Sequence, residues 1–290
     1  MVCRIDCCTP MTSANMAELA LFFSYEFTLL ALAAGLLASV LGGVLGTFVV
    51  VKRLVFIAGG ISHAAFAGLG FFYWLGFDPL IGAVLVAVAA ALFLGLFSEG
   101  QARSQDAMIG VLWAGGMAVG VLFIHLTPGY APNLMTYLFG DILTVAPRDV
   151  VLLAVLAVVT LALLAVLHRG LIAVAFDETF ARVQGVPVRA LTLLLLVLVA
   201  LAVILLIQVV GIVLLLALFT LPPMIALMLI NRSFALVLLV AVLVGMLMTT
   251  GGIAASWTLD LPTGPAIVLT GIVFGSLIWA GKAVSRGKNS

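Results

Sequence analysis

Long apolar runs, separated by short breaks that contain polar residues, glycine or proline, follow one another along almost the whole chain. Each run is close to the length of about 20 predominantly apolar residues that a helix needs to cross a bilayer. The pattern predicts an all-α fold, a polytopic transmembrane helix bundle of about nine spans, in which each helix satisfies its own backbone hydrogen bonds. The predicted spans are residues 27–51, 54–75, 79–97, 107–126, 149–167, 190–207, 210–230, 233–250 and 265–281.

The number of spans depends on how the apolar stretch between residues 190 and 230 is divided. Only Gln208 and Thr220 interrupt it, so the stretch could be divided otherwise, and eight spans is the alternative. The domain boundaries follow from the spans. They are an N-terminal extension (1–16) that we expect to be disordered, a transmembrane domain (17–282) and a cytoplasmic C-terminal tail (283–290).

All three cysteines, Cys3, Cys7 and Cys8, lie in the N-terminal extension, so we expect no disulfide to organise the fold. Their CxxxCC arrangement is a cluster of thiols that could bind a soft metal ion. Met11 and Met16 follow the cluster, and either could be the true start of the protein. We therefore interpret the cysteine-containing segment as a disordered or wrongly assigned extension.

The composition excludes several classes of protein. Apolar residues make up 66% of the 290 residues and charged residues 8%, whereas a soluble domain has roughly half and about a quarter. A soluble fold of this length could not bury so much apolar surface. The chain is therefore predicted to be one domain embedded in lipid, without room for a soluble catalytic domain. Its net charge of +1 does not indicate a nucleic-acid partner.

Basic residues are distributed unequally between the two sides of the predicted bundle. With nine spans and the N-terminus outside, one side keeps only Arg4 and Arg148. Because cytoplasmic loops carry the excess of Lys and Arg, we predict a multi-pass protein whose N-terminus is outside and whose C-terminus is cytoplasmic. The residues on the cytoplasmic side are Lys52, Arg53, Arg103, Arg169, Arg182, Arg189, Arg232, Lys282, Arg286 and Lys288.

The long loop on the cytoplasmic side, residues 168–189, has a helical spacing of apolar residues. Gly185 and Pro187 follow them as a stop signal. This pattern predicts a short amphipathic helix at the cytoplasmic face, and its alternative role is simply to rest on the lipid. The apolar residues are Leu171, Val174, Phe176, Phe180 and Val183.

Glycines four residues apart occur within three predicted spans. This spacing lets two helix backbones approach closely, so it predicts a packed bundle but no particular function. The pairs are Gly42 and Gly46, Gly116 and Gly120, and Gly271 and Gly275.

His63 is the ionisable residue that the pattern places well inside a span. Such a residue is a candidate for a binding site or an ion path, because its burial in hydrocarbon is costly. Gly59, Gly60 and Ser62 precede it and make the helix thin, so that an ion or another backbone can approach. A neutral imidazole binds zinc and similar ions. These four residues are predicted to line a metal path; the alternative is a histidine hydrogen-bonded to a neighbouring helix.

One histidine does not complete a metal site, since zinc takes four ligands, or three and a water. Further ligands would come from other helices, a second subunit or water. His125, Asp141 and Asp260 fall in outer segments, and we interpret them as ordinary interfacial residues. The residues alone do not distinguish zinc, manganese and iron.

The sequence lacks the motifs of common membrane enzymes. It contains neither HExxH nor GxSxG. The segment 275–282 looks like a phosphate-binding loop, but five residues separate Gly275 from Gly281, and Ala283 stands where Ser or Thr is required. We therefore expect no enzyme activity and no permanently bound cofactor, and any ATP would be bound by another subunit.

Four stretches, in this order and at these spacings, resemble the manganese, zinc and iron permease family of ABC transporters. The likeness covers about residues 29–281. The stretches are residues 46–64 with GTFVV, KR and GGISHA; residues 137–143 with YLFGDIL; residues 176–185 with FDE, an alanine and a glycine; and residues 210–223 with VGI and LPP.

The resemblance implies a homodimeric importer permease of the bacterial inner membrane that moves a divalent transition-metal ion, with zinc or manganese favoured. Its implied partners are a second copy of the chain, two cytoplasmic ATPase subunits that bind ATP, and an extracytoplasmic metal-binding protein. The short cytoplasmic helix would be the coupling helix that docks on the ATPase, with phenylalanines as anchors. The implied coupling residues are Phe176, Asp177, Glu178, Phe180, Arg182 and Gly185.

Gly59 departs from the family pattern. Many members of the family have an aspartate four residues before the histidine, one turn away on the same helix face, and this pair is thought to line the metal path. Here the carboxylate and its negative charge are missing. Either the site is neutral and transient, or another residue supplies an oxygen ligand, or the ion is handled differently.

Two other functions are open on the residues alone. A secondary transporter driven by an ion gradient is the first alternative, although we find no convincing repeat between the halves and no membrane-embedded carboxylates for proton or sodium coupling. An intramembrane enzyme is the second, and it lacks a supporting motif.

Overall fold

The computed structural model describes residues 26–97, 102–128, 140, 142–230 and 233–287. These residues form nine α-helices and one 3₁₀ turn. The predicted extension (1–16), with Cys3, Cys7 and Cys8, and Asp141 lie outside these residues. The 3₁₀ turn, Ile142–Thr144, lies between α4 and α5. The helices are α1 (Glu26–Val51), α2 (Val55–Trp74), α3 (Pro79–Phe97), α4 (Ala102–Leu126), α5 (Pro147–Phe176), α6 (Glu178–Val183), α7 (Val188–Leu229), α8 (Phe234–Leu259) and α9 (Thr263–Gly287).

Eight of the described helices are long and apolar enough to cross a membrane, and α6, with six residues, is too short. α7 lies at the centre and packs against α1, α2, α3, α5, α8 and α9. α4 lies at the periphery, where it packs mainly on α2. The prediction of an all-α transmembrane bundle is confirmed.

α7 crosses the bundle twice. A straight helix of its 42 residues would extend about 63 Å, roughly twice the hydrocarbon thickness of a bilayer. Yet Thr192 near its start accepts a hydrogen bond from Lys52 Nζ at 3.2 Å. Phe234, just after its end, packs edge-on against Phe48, with ring centroids 5.2 Å apart. Since Phe48 and Lys52 are one turn apart, both ends of α7 lie at the same end of the bundle, and the chain reverses within it.

Gly211 makes this reversal. Its φ of 76° and ψ of 168° are not helical, and a positive φ favours glycine. Gly140 packs directly on the same point, since a Cβ at Gly140 would overlap the backbone of Val210 and Gly211. Two arms of α7, residues 188–210 and 212–229, therefore cross the bundle separately. The described helices then make nine crossings, as the apolar pattern predicts.

All the described basic residues except Arg148 lie at one end of this bundle, which we call the basic end. The opposite end carries Asp78, Arg148 and Asp260, and Arg148 Nη2 lies 3.9 Å from Asp78 Oδ2. This separation agrees with the charge asymmetry in the sequence. The basic residues at this end include Lys52, Arg53, Arg169, Arg182, Arg189 and Lys282.

Close approach of α1 to the second arm of α7 depends on glycine and proline together. The prolines at 222–223 have no N–H, so the Leu218 and Phe219 carbonyl oxygens lose their usual helical donors. These oxygens face the glycines of α1: a Cβ on Gly42 would lie 3.0 Å from Leu218 O, and one on Gly46 2.7 Å from Phe219 O. Any larger residue would push the two helices apart.

The other two glycine pairs also lie at helix contacts, as predicted. Gly116 and Gly120 of α4 face α2, and a Cβ on Gly116 would lie 2.5 Å from the Ala64 Cα atom. Gly271 and Gly275 of α9 face α8 and the second arm of α7. The glycine spacing therefore reports helix packing at all three places.

α5 is longer than the sequence predicted. The apolar pattern ended this span at residue 167 and began a separate amphipathic helix near Leu171, whereas the structure continues α5 to Phe176. Leu171 and Val174 are buried in the bundle. Packing within the protein therefore accounts for their helical spacing, and the separate short helix is limited to α6.

Candidate functional site

His63 lies near the middle of α2, on the face that packs against α4. Its side chain is 7% exposed, and its ring stacks on the indole of Trp113, with ring centroids 4.2 Å apart and planes inclined by 19°. Its Nδ1 atom is buried and has no hydrogen-bond partner in the described part of the chain. A buried polar atom without a hydrogen-bond partner lowers the stability of the fold. A ligand bound at this nitrogen would remove that cost.

The three residues predicted to line a path beside the histidine contact α4 or their own helix. Gly59 faces Trp113, and a Cβ on Gly59 would lie 2.9 Å from the Cζ3 atom of the indole. Gly60 faces Ile109, with a corresponding distance of 2.9 Å to Cγ2. Ser62 Oγ donates a hydrogen bond to the Gly59 carbonyl at 2.6 Å. Side chains of α4 therefore occupy the space beside the small residues of α2.

Other metal-binding side chains do not gather around this imidazole. The described ranges contain no group of three or more His, Cys, Asp or Glu residues that could hold an ion together. His125 is exposed at the end of α4, and Asp260 follows α8 with a left-handed φ of 52°. Both lie at the opposite end of the bundle. His63 can offer one ligand, and water or another chain must provide the rest.

α6, at the basic end, has both of its ends closed by its own flanking residues. Asp177 Oδ1 accepts a hydrogen bond from the Phe180 amide at 2.9 Å and caps the N-terminus. Gly185 has a φ of +77°, and its amide donates to the Arg182 carbonyl at 3.1 Å. A left-handed glycine of this kind commonly terminates a helix. Asp177 and Gly185 therefore shape α6 directly.

Glu178 of α6 is joined to the turn between α1 and α2. Lys52 Nζ donates a hydrogen bond to Glu178 Oε1 at 2.7 Å and another to Thr192 Oγ1 at 3.2 Å. The Lys52 side chain is 6% exposed, whereas that of Glu178 is 49% exposed. One nearly buried ammonium therefore connects α6, the start of α7 and the turn that leads into α2.

Three apolar side chains are exposed on α6 and at the residue just before it, among polar neighbours. Phe176, Phe180 and Val183 are all largely exposed, although the ring of Phe176 also packs edge-on against Phe234, with centroids 5.4 Å apart. Arg182 borders an open groove beside these side chains. The groove is lined by Arg182, Pro187, Val188, Arg189, Ala190 and Leu193.

The profile of the ABC 3 transport family matches residues 24–280, nearly the whole chain. The chain belongs to the ABC 3 transport family. This ABC 3 family member is 36% identical over 242 residues to a Chlamydia pneumoniae protein named "Probable metal transport system membrane protein", a match that covers 81% of this chain and 82% of the relative. It is 31% identical over 258 residues to the manganese transport system membrane protein MntC of Halalkalibacterium halodurans, covering 88% of each.

A solved structure has the same fold as this ABC 3 family member. It is PsaBC from Streptococcus pneumoniae in complex with Fab. The two chains superpose with a TM-score of 0.79 at 25% identity, and the match covers 90% of this chain and 95% of the other. These comparisons confirm the resemblance to metal permeases that the sequence motifs indicated.

Three residues at these sites are missing from the sequence-based prediction. Trp113 lies in an apolar span, where an aromatic residue gives no signal of its own. Lys52 contributed to the charge asymmetry and to the family-like stretch 46–64 but was not predicted to belong to a site, and Thr192 gave no signal at all. The one hint that could have linked Lys52 to Glu178 was that the sequence places both on the same predicted side of the membrane.

Proposed function

We propose that this ABC 3 family member is the membrane-spanning permease subunit of an ATP-driven importer, which carries a divalent transition-metal ion, zinc or manganese, across the bacterial inner membrane. The family match over residues 24–280 carries the proposal. The names of the two relatives point to a metal as the transported ion. The buried Nδ1 atom of His63 supplies a ligand of the right chemistry within the bundle.

The proposed assembly contains a second copy of the chain, two cytoplasmic ATPase subunits that bind ATP, and an extracytoplasmic metal-binding protein. The basic end would face the cytoplasm, because cytoplasmic loops of membrane proteins are enriched in Lys and Arg. Nine crossings then put the N-terminus outside and the C-terminus inside. In this orientation α6 lies at the cytoplasmic face, where an ATPase can reach it.

The exposed apolar side chains of α6 support a docking role. The side chains of Phe180 and Val183 are 57% and 83% exposed, and aromatic residues often anchor protein interfaces. Arg182 would add a polar contact from the neighbouring groove. In this proposal Asp177 and Gly185 hold the shape of α6, Glu178 fixes its position through Lys52, and Phe176 and Phe180 provide the anchors.

The experiment that tests this function uses the chain co-expressed with its ATPase, reconstituted in lipid vesicles, with the metal-binding protein supplied on the side opposite the ATPase. We expect zinc or manganese to accumulate only when ATP is supplied on the ATPase side. The chain alone is expected neither to bind nor to hydrolyse ATP. Uptake that follows a proton gradient and ignores ATP would favour the secondary transporter instead.

Phe180→Ala is expected to weaken the association with the ATPase at least about tenfold, because truncation of an aromatic anchor typically costs about 2 kcal/mol or more. The measurement is the amount of ATPase that copurifies with the chain. Phe97→Ala is the matched control, since Phe97 is 64% exposed at the basic end of α3 and lies outside α6. Equal recovery of the ATPase by both variants would argue against docking at α6.

A further inference from the structure

The groove beside α6 lies where the bundle meets the surface of the membrane. Its volume is about 580 Å³. The lining residues belong to α6, to the linker that follows it and to the first two turns of α7, at the end of the bundle where this long apolar helix begins. The groove is therefore within reach of the head groups of membrane lipids as well as of water.

Two arginines give this groove a positive charge that the protein itself does not neutralise. Arg182 and Arg189 both line it, and none of the lining residues is acidic. Both arginines are exposed, and neither forms an ion pair within the described ranges. Two like charges on one groove repel each other, so an anion bound between them would be stabilised. Phosphate suits this place, because the planar fork of N–H donors of a guanidinium matches phosphate oxygens.

The rest of the groove is apolar and leads into the membrane-spanning part of α7. The other lining residues are all apolar, and Leu193 is the last of them along the helix. Beyond Leu193, one face of the first arm of α7 stays partly exposed at a spacing of three or four residues, whereas the residues between are buried. This spacing marks one continuous helix face, along which an acyl chain can lie. The partly exposed residues are Leu194, Val197, Leu201 and Leu205.

An anionic phospholipid matches both parts of this surface at once. A free phosphate ion would pair with the arginines but would leave the apolar face of α7 uncovered. A zwitterionic lipid would cover that face, but its own ammonium group would meet the two guanidinium groups. Basic pockets between the helices of membrane proteins, on the cytoplasmic side, bind the head groups of anionic lipids.

We propose that this groove binds an anionic phospholipid of the cytoplasmic leaflet, with its phosphate between Arg182 and Arg189 and an acyl chain along the first arm of α7. The inference rests on the orientation given in the proposed function. The head group joins α6 to α7 across Gly185, which has a φ of +77° and at which a Cβ would meet no atom within 4 Å. The lipid thus holds α6 against the bundle at a point where the linker itself is not packed.

The same site is compatible with docking of an ATPase on α6. A guanidinium has several N–H donors, so Arg182 can contact a lipid phosphate and a partner protein together. The phenylalanine anchors of the proposed docking surface, Phe176 and Phe180, do not line the groove.

The test measures the midpoint of thermal unfolding of the purified full-length chain in detergent, with phosphatidylglycerol, phosphatidylcholine or inorganic phosphate added. A ligand that binds the folded chain raises this midpoint as its concentration rises. We expect phosphatidylglycerol to act at lower concentrations than phosphatidylcholine, and phosphate to produce no shift. Equal responses to the two lipids would show ordinary lipid solvation only, and an equal shift with phosphate would show a site for free anions. Either result would overturn the proposal.

Arg189→Gln tests the head-group part of the groove. We expect it to require about five times more phosphatidylglycerol for the same shift, the factor that corresponds to about 1 kcal/mol for one basic residue near an anionic lipid surface. Arg169→Gln is the matched control, because Arg169 is exposed at the same end of the bundle but does not line the groove. If both variants lose the same affinity, the charge of the whole basic end attracts the lipid, and the groove is not a specific site.

Ala190→Trp tests the apolar part while keeping both arginines. Ala190 lines the groove and is exposed, so an indole there occupies the place of the acyl chain without entering the core. We expect the midpoint of this variant to equal that of the wild type without lipid, and its response to phosphatidylglycerol to be lost. A full response by a folded variant would contradict binding of the acyl chain in this groove.

Native mass spectrometry of the chain, alone and in complex with its ATPase, separates this inference from the proposed function. We expect phosphatidylglycerol to remain bound in both preparations. If assembly with the ATPase displaces the lipid, the groove belongs to the ATPase, and the inference fails while the proposed function stands. If the complex retains the lipid but moves no metal with ATP, the proposed function fails and the lipid site remains.

Discussion

Lys52→Met is expected to reduce metal uptake at least about tenfold while ATP hydrolysis by the assembled complex continues. Lys52 Nζ joins Glu178 of α6 to Thr192 of α7, and Lys52 itself lies in the turn that leads into the helix carrying His63. A hydrogen bond to a charged group contributes about 1.5–3 kcal/mol, and about 1.4 kcal/mol corresponds to a factor of ten. In the proposed function, movement of α6 would then no longer be transmitted to α2.

The same substitution is expected to preserve the fold. Methionine has nearly the length of lysine and suits a side chain that is 6% exposed. The carboxylate of Glu178 is half exposed, so water can solvate it after the partner is lost. The measurements are ATP hydrolysis and zinc or manganese uptake by one preparation, which give the number of ions moved per ATP.

Arg53→Met is the matched control for Lys52→Met. Arg53 lies in the same turn and carries the same charge, but it is exposed and forms no ion pair within the described ranges. We expect it to leave the ratio of ions to ATP unchanged. The exchange Lys52→Glu/Glu178→Lys should restore part of the uptake, because it remakes the pair with reversed charge. Full uptake by Lys52→Met would show that the connection plays no part in transport.

Gly43→Ala is expected to destabilise the folded chain by about 1–3 kcal/mol or more, the usual cost of overpacking. Gly43 of α1 faces α8, and a Cβ on it would lie 2.7 Å from the backbone nitrogen of Val242 and 2.8 Å from its Cα atom. These are backbone atoms of a long helix, so they cannot turn aside as a side chain can. The measurement is the midpoint of thermal unfolding in detergent.

Gly281→Ala is the control for this prediction. Gly281 lies in α9, and a Cβ on it meets no atom within 4 Å, so the higher helix propensity of alanine should make it neutral or stabilising by up to about 1 kcal/mol. Val242→Ala should not rescue Gly43→Ala, because it removes side-chain atoms and leaves the backbone contact. A rescue, or equal midpoints for Gly43→Ala and Gly281→Ala, would show that α1 and α8 are not in backbone contact at Gly43.

Local patterns in the sequence were sufficient for the architecture. The spacing of apolar runs, the uneven charges and the glycines four residues apart depend on neighbours along the chain and on the thickness of a bilayer. They predicted about nine crossings, with eight as the alternative, and close helix packing at the glycine pairs, which include Gly116, Gly120, Gly271 and Gly275. Each of these features depends on residues of a single segment, so it could be recognised without knowledge of the fold.

Helix boundaries were harder to predict than helices. Leu171 and Val174 have the spacing of an amphipathic surface helix, but they are buried in a continuation of α5. Periodicity shows that one face differs from the other, and it does not show whether lipid, water or another helix covers the apolar face. Similarly, Gly211 stands within an apolar stretch that only Gln208 and Thr220 interrupt, and the structure shows that the chain reverses at this residue, where Gly140 packs against it.

The sequence by itself determined the class of the protein, two possible numbers of crossings, the presence of a short helix near the basic end and the identity of His63 as a candidate ligand. Only the tertiary structure showed that Trp113 fills the space beside Gly59 and that Lys52 holds Glu178, 126 positions away. The physical reason is that both contacts join helices whose relative placement is set by packing of the whole bundle. No pattern within either helix carries that information.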